Sequence, residues 1–151
     1  RSLATAVPPI FAENTPVKNA AMALPGVAVI QTKAFSTYED AAAEMQLLSG
    51  WLKEHISQME SLPLIILADD AGFTSDTLNN FLWVAFTRCN PSHDIYGVDA
   101  FVQFKHWGCR GPLIIDARIK PHHAPVLEKD PAIERSIDPL FDRGGSLYGI
   151  G

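Results

Sequence analysis

The sequence predicts an α/β fold, a three-layer α/β/α sandwich with a central mixed, largely parallel sheet, and three observations carry that reading. Residues 64–68 (LIILA) are an unbroken apolar run too short for a helix, which is how a strand covered on both faces reads. Before them, Ala41, Met45, Leu48, Leu52, Ile56 and Met59 fall on one face of a long helix. Residues 27–32 (VAVIQT) are rich in β-branched side chains, so strand, helix and strand follow one another as a βαβ unit.

Taken in order, residues 1–25 hold Pro8, Pro9 and Pro16 among scattered polar residues and read as a linker or N-terminal arm. The chain opens at Arg1 without periodicity, which suggests a piece of a longer polypeptide. Ser36-Thr37-Tyr38-Glu39 has the form of a capping box, the serine accepting from the Glu39 amide, and opens the long helix toward Pro63. After the central strand, Asp69 and Asp70 end the apolar run and Gly72 permits a turn. Thr74 is then placed to cap a helix starting near Ser75. That helix turns Leu78, Phe81, Leu82 and Ala85 to the sheet and stops near Cys89, because Pro91 disfavours helical geometry at Asn90.

Residues 90–97 read as a loop, 98–104 (VDAFVQF) as a strand, and 105–111 (KHWGCRG) as a compact segment outside regular structure. Pro112 introduces a further strand at 113–115, closed by Asp116-Ala117-Arg118, and the 98–115 part can pair antiparallel. His122 and His123 lie in a loop between Pro121 and Pro125. Asp130-Pro131 is a cap with proline at the first helical position, opening a short helix through Ile133 and Ile137 that meets Pro139. The domain is expected over 26–143, with 144–151 as a glycine-rich tail.

At 151 residues, 47% apolar and 19% charged, the composition is that of one globular domain. A formal net charge of -5 argues against a nucleic-acid surface, and no apolar run is long enough to span a bilayer. Cys89 and Cys109 are too few for a disulfide framework and no signal segment opens the chain, so a reducing cytoplasm is the expected compartment.

Ligands of open α/β sheets collect at the carboxyl ends of strands, where Asp69 and Asp70 stand. Paired carboxylates there can bind a cation or act as acid and base. The favoured reading is structural: they cap the helix that follows and suit its positive end, with Arg88 at the other end paired to an aspartate. His106-x-x-Cys109 has a short metal-ligand spacing, but its only companion pair is the adjacent His122 and His123, so no metal site is expected. His106 is set among Lys105, Trp107, Arg110 and two glycines. There cations and backbone amides can gather round an anionic or phenolic ligand while the imidazole titrates near neutrality.

The acidic turn Asp69-Asp70, the run Phe86-Thr87-Arg88-Cys89-Asn90-Pro91 and Asp94 resemble the C-terminal domain of the UbiD-like decarboxylases. The likeness covers residues 27–148. Gly108-Cys109-Arg110-Gly111-Pro112 and Asp116-Ala117-Arg118-Ile119-Lys120-Pro121 look most like the branch acting on hydroxylated aromatic acids, with protocatechuate and 4-hydroxybenzoate decarboxylases and phenylphosphate carboxylase. Ala71 departs from the family pattern, which has a third acidic residue there. The resemblance implies an enzyme using prenylated FMN with manganese or magnesium and potassium, all held by an N-terminal flavin-binding domain of the same polypeptide. It implies that this piece packs on that domain, walls off part of the active site and forms homo-oligomer contacts, binding no cofactor and turning over no aromatic acid alone. His106 is then the expected catalytic residue, with Lys105, Trp107 and Arg110 on the substrate side. The alternative is a free-standing α/β binding or assembly module without catalytic activity.

Overall fold

The computed structural model describes residues 2–12, 16–123 and 130–150. Its main sheet has five strands: β1 (Asn19–Leu24), β2 (Val27–Gln31), β3 (Leu64–Leu67), β4 (Ile95–Gly97) and, last in sequence, β7 (Leu113–Asp116). Their spatial order is β1-β2-β3-β7-β4. The middle three run parallel, in step at Val27, Leu64 and Leu113, and both edge strands are antiparallel. The expected central position of the LIIL strand is therefore the observed one, in the mixed sandwich that the sequence predicts.

Alternation along β3 builds the layers. Ile65 and Leu67 turn to α1 (Tyr38–Glu54), packing with Met45, Leu48 and Leu52, whereas Ile66 turns the other way onto Phe81, Val84 and Ala85 of α3 (Leu78–Thr87). A 3-10 turn at Ile56–Met59 ends the first crossover and buries Met59.

Several local expectations shift. The cap of α1 is Thr37, which accepts from the Asp40 amide at 3.1 Å, while Ser36 donates to the Asp40 carboxylate at 2.6 Å, so the box sits one residue later than the Ser36–Glu39 pattern suggests. The 1–25 arm is not wholly outside the domain: it supplies β1, and Ile10 and Phe11 join the core on the α1 side. Prolines marked the segment as irregular, but the apolar residues after them complete a sheet edge. Thr74 is not a cap. Asp70 caps the short α2 (Ala71–Asp76) by accepting from Phe73 N at 2.9 Å, and Thr77 caps α3 by accepting from Asn80 N at 3.1 Å. Thr74 lies buried inside α2, its hydroxyl donating to Asp70 O at 2.6 Å. Because α3 starts three residues later than expected, its buried face is Phe81, Val84 and Ala85, leaving Leu78 and Leu82 exposed.

The 105–111 segment is regular after all. Strands β5 (Ala100–Gln103) and β6 (His106–Cys109) form an antiparallel hairpin, with Val102 opposite Trp107 and Gln103 opposite His106. Its turn residues Phe104 and Lys105 both have positive φ, 49° and 64°, the backbone of a two-residue hairpin turn made without glycine or asparagine. That missing turn signal is why the strand pair is hard to see. Helix α4 (Pro131–Phe141) starts at Asp130 as expected, runs on through Pro139 and buries none of its residues. The Pro125 side of the histidine loop lies outside the described residues.

Candidate functional site

The carboxyl ends of β2, β3 and β7 meet at a buried network of charges. Beyond β7 the chain stays extended, so Asp116, Arg118 and Lys120 share one side while Ala117 packs on the opposite, α3 side. Asp116, Arg118, Lys120 and Asp94 are each at most 1% exposed. Arg118 clasps Asp116 in a fork, Nε to Oδ1 at 2.9 Å and Nη2 to Oδ2 at 2.6 Å, and its Nη1 reaches Glu44 of α1 at 2.7 Å and Lys33 O at 3.0 Å. Lys120 Nζ donates to the carbonyls of Asp116 at 2.8 Å, Arg88 at 3.2 Å and Arg118 at 3.3 Å, and lies 3.3 Å from Asp94 Oδ2. Asp94 Oδ2 in turn accepts from Asn90 N at 2.6 Å.

Two cations thus fasten four separate stretches: the segment after β2, α1, the end of α3 and the loop after it. Burial acts to discharge Arg118, but its hydrogen bonds and charge pairing with Asp116 and Glu44 outweigh it and hold the guanidinium charged. Among the described residues no buried side-chain nitrogen or oxygen lacks a partner. The network is a closed scaffold rather than a set of free ligands.

Over it stands an aromatic roof. Phe35 lies 5.5 Å from Lys120 Nζ and 5.9 Å from the Arg118 guanidinium carbon, and meets Tyr38 edge-on at 5.2 Å. Tyr38 in turn touches His93 at 5.4 Å and His122 at 6.4 Å, ring centre to ring centre. Burial, then the charges of Asp94 and Asp116, push the Tyr38 hydroxyl above its ordinary value. Cys89 moves the same way, through burial and then Asp94. His123 moves down, through burial and then His122 and Lys120, and its Nδ1 accepts from Lys120 N at 3.2 Å.

Of the residues singled out in the sequence, Asp70 is the α2 cap, and Asp69 accepts from Ile119 N at 2.7 Å and pairs with Arg88 at 3.5 Å. Only Asp70 is the helix cap expected of both; Asp69 caps no helix and holds the Ile119 amide, while its pair with Arg88 is the ion pair expected for that arginine. His106, Lys105, Trp107 and Arg110 all lie on the hairpin and are exposed. Arg110 pairs with Asp99 at 3.1 Å and sits 4.9 Å over Phe101 rather than gathering with His106 round a common point. Among the described residues no group of three or more His, Cys, Asp or Glu is arranged to hold a metal ion. No described helix is long and apolar enough to cross a membrane. Sequence reasoning assigned no role to the Arg118–Lys120 network, although the alternation Asp116-x-Arg118-x-Lys120 past a buried strand is its signal.

The chain is 34% identical over 83 residues to a 4-hydroxybenzoate decarboxylase subunit of Chlamydia pneumoniae, which covers 55% of this chain and 14% of that relative. It is 32% identical over 92 residues to an uncharacterized protein of Chlamydia muridarum, covering 61% of this chain and 16% of the relative. Among solved structures, vanillic acid decarboxylase of Sedimentibacter hydroxybenzoicus in an open form aligns with a TM-score of 0.43 at 18% identity, over 77% of this chain and 26% of that one. No protein-family model matches. The chain is thus similar to part of a decarboxylase and spans about a seventh of that relative's length.

Proposed function

We propose that this chain is the C-terminal lid and assembly domain of a carboxy-lyase that exchanges carbon dioxide on phenolic acids in the cytoplasm. The observation that carries the reading is the 34% identity over 83 residues to the chlamydial 4-hydroxybenzoate decarboxylase polypeptide. A charge-clamped scaffold beneath an aromatic roof, at the strand ends where α/β sheets meet their ligands, is a surface suited to closing over another domain.

Prenylated FMN, its divalent metal and potassium belong in this reading to a preceding domain. Three of the four described α-helix starts do not suit the cofactor's phosphate, since Glu39 and Asp40 open α1, Asp70 caps α2 and Asp130 caps α4, while α3 opens at Thr77, whose hydroxyl is already taken by the Asn80 amide. This chain's own contribution is His106, presented on the exposed hairpin to face the flavin domain across the cleft. There it grips the phenolic oxygen and manages its proton as charge moves through the ring.

Expression of the longer polypeptide, followed by flavin absorbance and carbon dioxide release from 4-hydroxybenzoate, tests the proposal. Flavin and turnover in the long form, with neither in residues 1–151 alone, are expected. A natural product consisting of these residues without a flavin-binding segment, and without turnover, would instead make it a free-standing assembly module.

A further inference from the structure

The β5–β6 hairpin folds back over β4 toward α1 and leaves a cleft of about 350 Å³ between them. Gly97 makes the close approach possible, since a Cβ there would lie 2.6 Å from Cys109 Cβ and 2.9 Å from the Trp107 ring. Met45, Tyr96 and Trp107 supply apolar and aromatic walls, Gln46 and Ser49 polar edges, and no lining residue carries a formal charge. Among the described residues, the side chains of Gln46, Ser49, Tyr96 and Trp107 have no hydrogen-bond partner within the protein, so the lining offers four polar groups open to a ligand. Burial, and then the charges of Asp116 and Asp94, push the Tyr96 hydroxyl above its ordinary value against the opposing charge of Arg118.

We propose that this cleft binds a neutral, single-ring hydroxylated arene, its ring between Tyr96 and Trp107 and its hydroxyl on Gln46 or Ser49. The volume suits one ring, the aromatic walls suit a flat one, and the unused polar groups suit a substituent that both donates and accepts. With no cation in its lining to pair with a carboxylate, the cleft selects against an arene carboxylate. The inference rests on the cleft alone and stands whether or not the carboxy-lyase reading does.

Titration of the 151-residue chain with phenol, followed by Trp107 fluorescence and by chemical shifts of Tyr96 and Ser49, tests it. Saturable binding with Kd on the order of 1 mM is expected for so small a ligand. Binding of 4-hydroxybenzoate, and of the non-planar cyclohexanol, should be at least ~10-fold weaker. Ala42→Phe, an exposed helix position on the cleft wall, should abolish phenol binding with the circular dichroism unchanged. Ser49→Ala combined with Gln46→Leu gives a second variant, expected to weaken binding several-fold. Equal affinity for phenol and 4-hydroxybenzoate, absence of saturation, or full binding by both variants would overturn the assignment.

Discussion

The charged network behind the aromatic roof and the β5–β6 hairpin treat polar and apolar atoms in opposite ways. In the network, Arg118 and Lys120 are taken wholly out of water and every partner is fixed by strand, helix or backbone carbonyl. On the hairpin, Val102 at 71% and Phe104 at 85% exposure stand in solvent, and the paired charges Lys53, Arg110 and Asp99 lie on the surface, where such pairs contribute little. Replacing a satisfied buried ion cluster by apolar residues is often neutral or better for stability, so the network's return is geometric: it holds loops from four stretches in one arrangement. Exposed apolar side chains on the solvent side of a hairpin are instead what an interface looks like before its partner arrives. One region fixes the domain's shape, and the other is free to meet something else.

The largest effect should come from breaking the network on one side only. Arg118→Ala strands Asp116 and Glu44 and should lower stability by about 3–5 kcal/mol, whereas Phe104→Ser at the hairpin tip should stay within about 0.5 kcal/mol. Urea midpoints at constant slope measure both, and equal losses would erase the contrast. Next, His106→Leu in the full-length enzyme should lower turnover on a 4-hydroxylated acid by ~100-fold with little change in stability, while the same change at His122 or His123 costs much less. Near-normal turnover of the His106 variant would remove the hairpin from the chemistry. Smaller again, Thr77→Ala removes the α3 cap and should cost about 1 kcal/mol by thermal melting, with Thr74→Ser changing less.

The smallest concerns pH. His123 has its pKa lowered from 6.5, and its Nδ1 must be unprotonated to accept from Lys120 N. The unfolded chain therefore takes up the proton first as pH falls, so this contribution is fully present above about 6.5 and is lost on acidification below it. His123→Asn, which keeps an acceptor and cannot titrate, should flatten the stability curve between pH 7.5 and about 5.5. An unchanged slope in that variant would show that another group carries the pH dependence.

Where periodicity decides structure, the sequence was readable. The LIIL run, the α1 stripe as far as Leu52 and the Asp130-Pro131 start each matched, because burial on two faces, burial on one face and a capping side chain leave local marks, while Ile56 and Met59 fall in a 3-10 turn beyond the helix end at Glu54. Elements set by tertiary context did not: β1 is an edge strand of small residues after prolines, and β6 hides a glycine between Trp107 and Cys109. The α3 face was misplaced because two threonines compete for one cap, and only the helix break at Thr77 chooses between them. At the site, Asp70 as a cap and Arg88 as the partner of an aspartate were legible, whereas the bond from the Ile119 amide to Asp69 was not. The long-range clasp from Arg118 to Glu44 was not, since nothing in either neighbourhood names the other.

The parallel core also decides the order in which the chain assembles. Strands β2, β3 and β7 are contributed by residues 27–31, 64–67 and 113–116, so their pairing must close two long intervening stretches before any hydrogen bond forms between them. The hairpin needs only the Phe104–Lys105 turn and, as a local element, forms on the scale of ~1–10 μs. It nonetheless packs against Gly97 of β4, an edge strand that is in place only once the sheet has closed. Substitutions such as Val102→Ala should therefore act on unfolding rather than refolding rates, and Ile66→Val on both. Stopped-flow chevrons of the two variants would reveal whether the search for the central strands sets the clock for the whole domain.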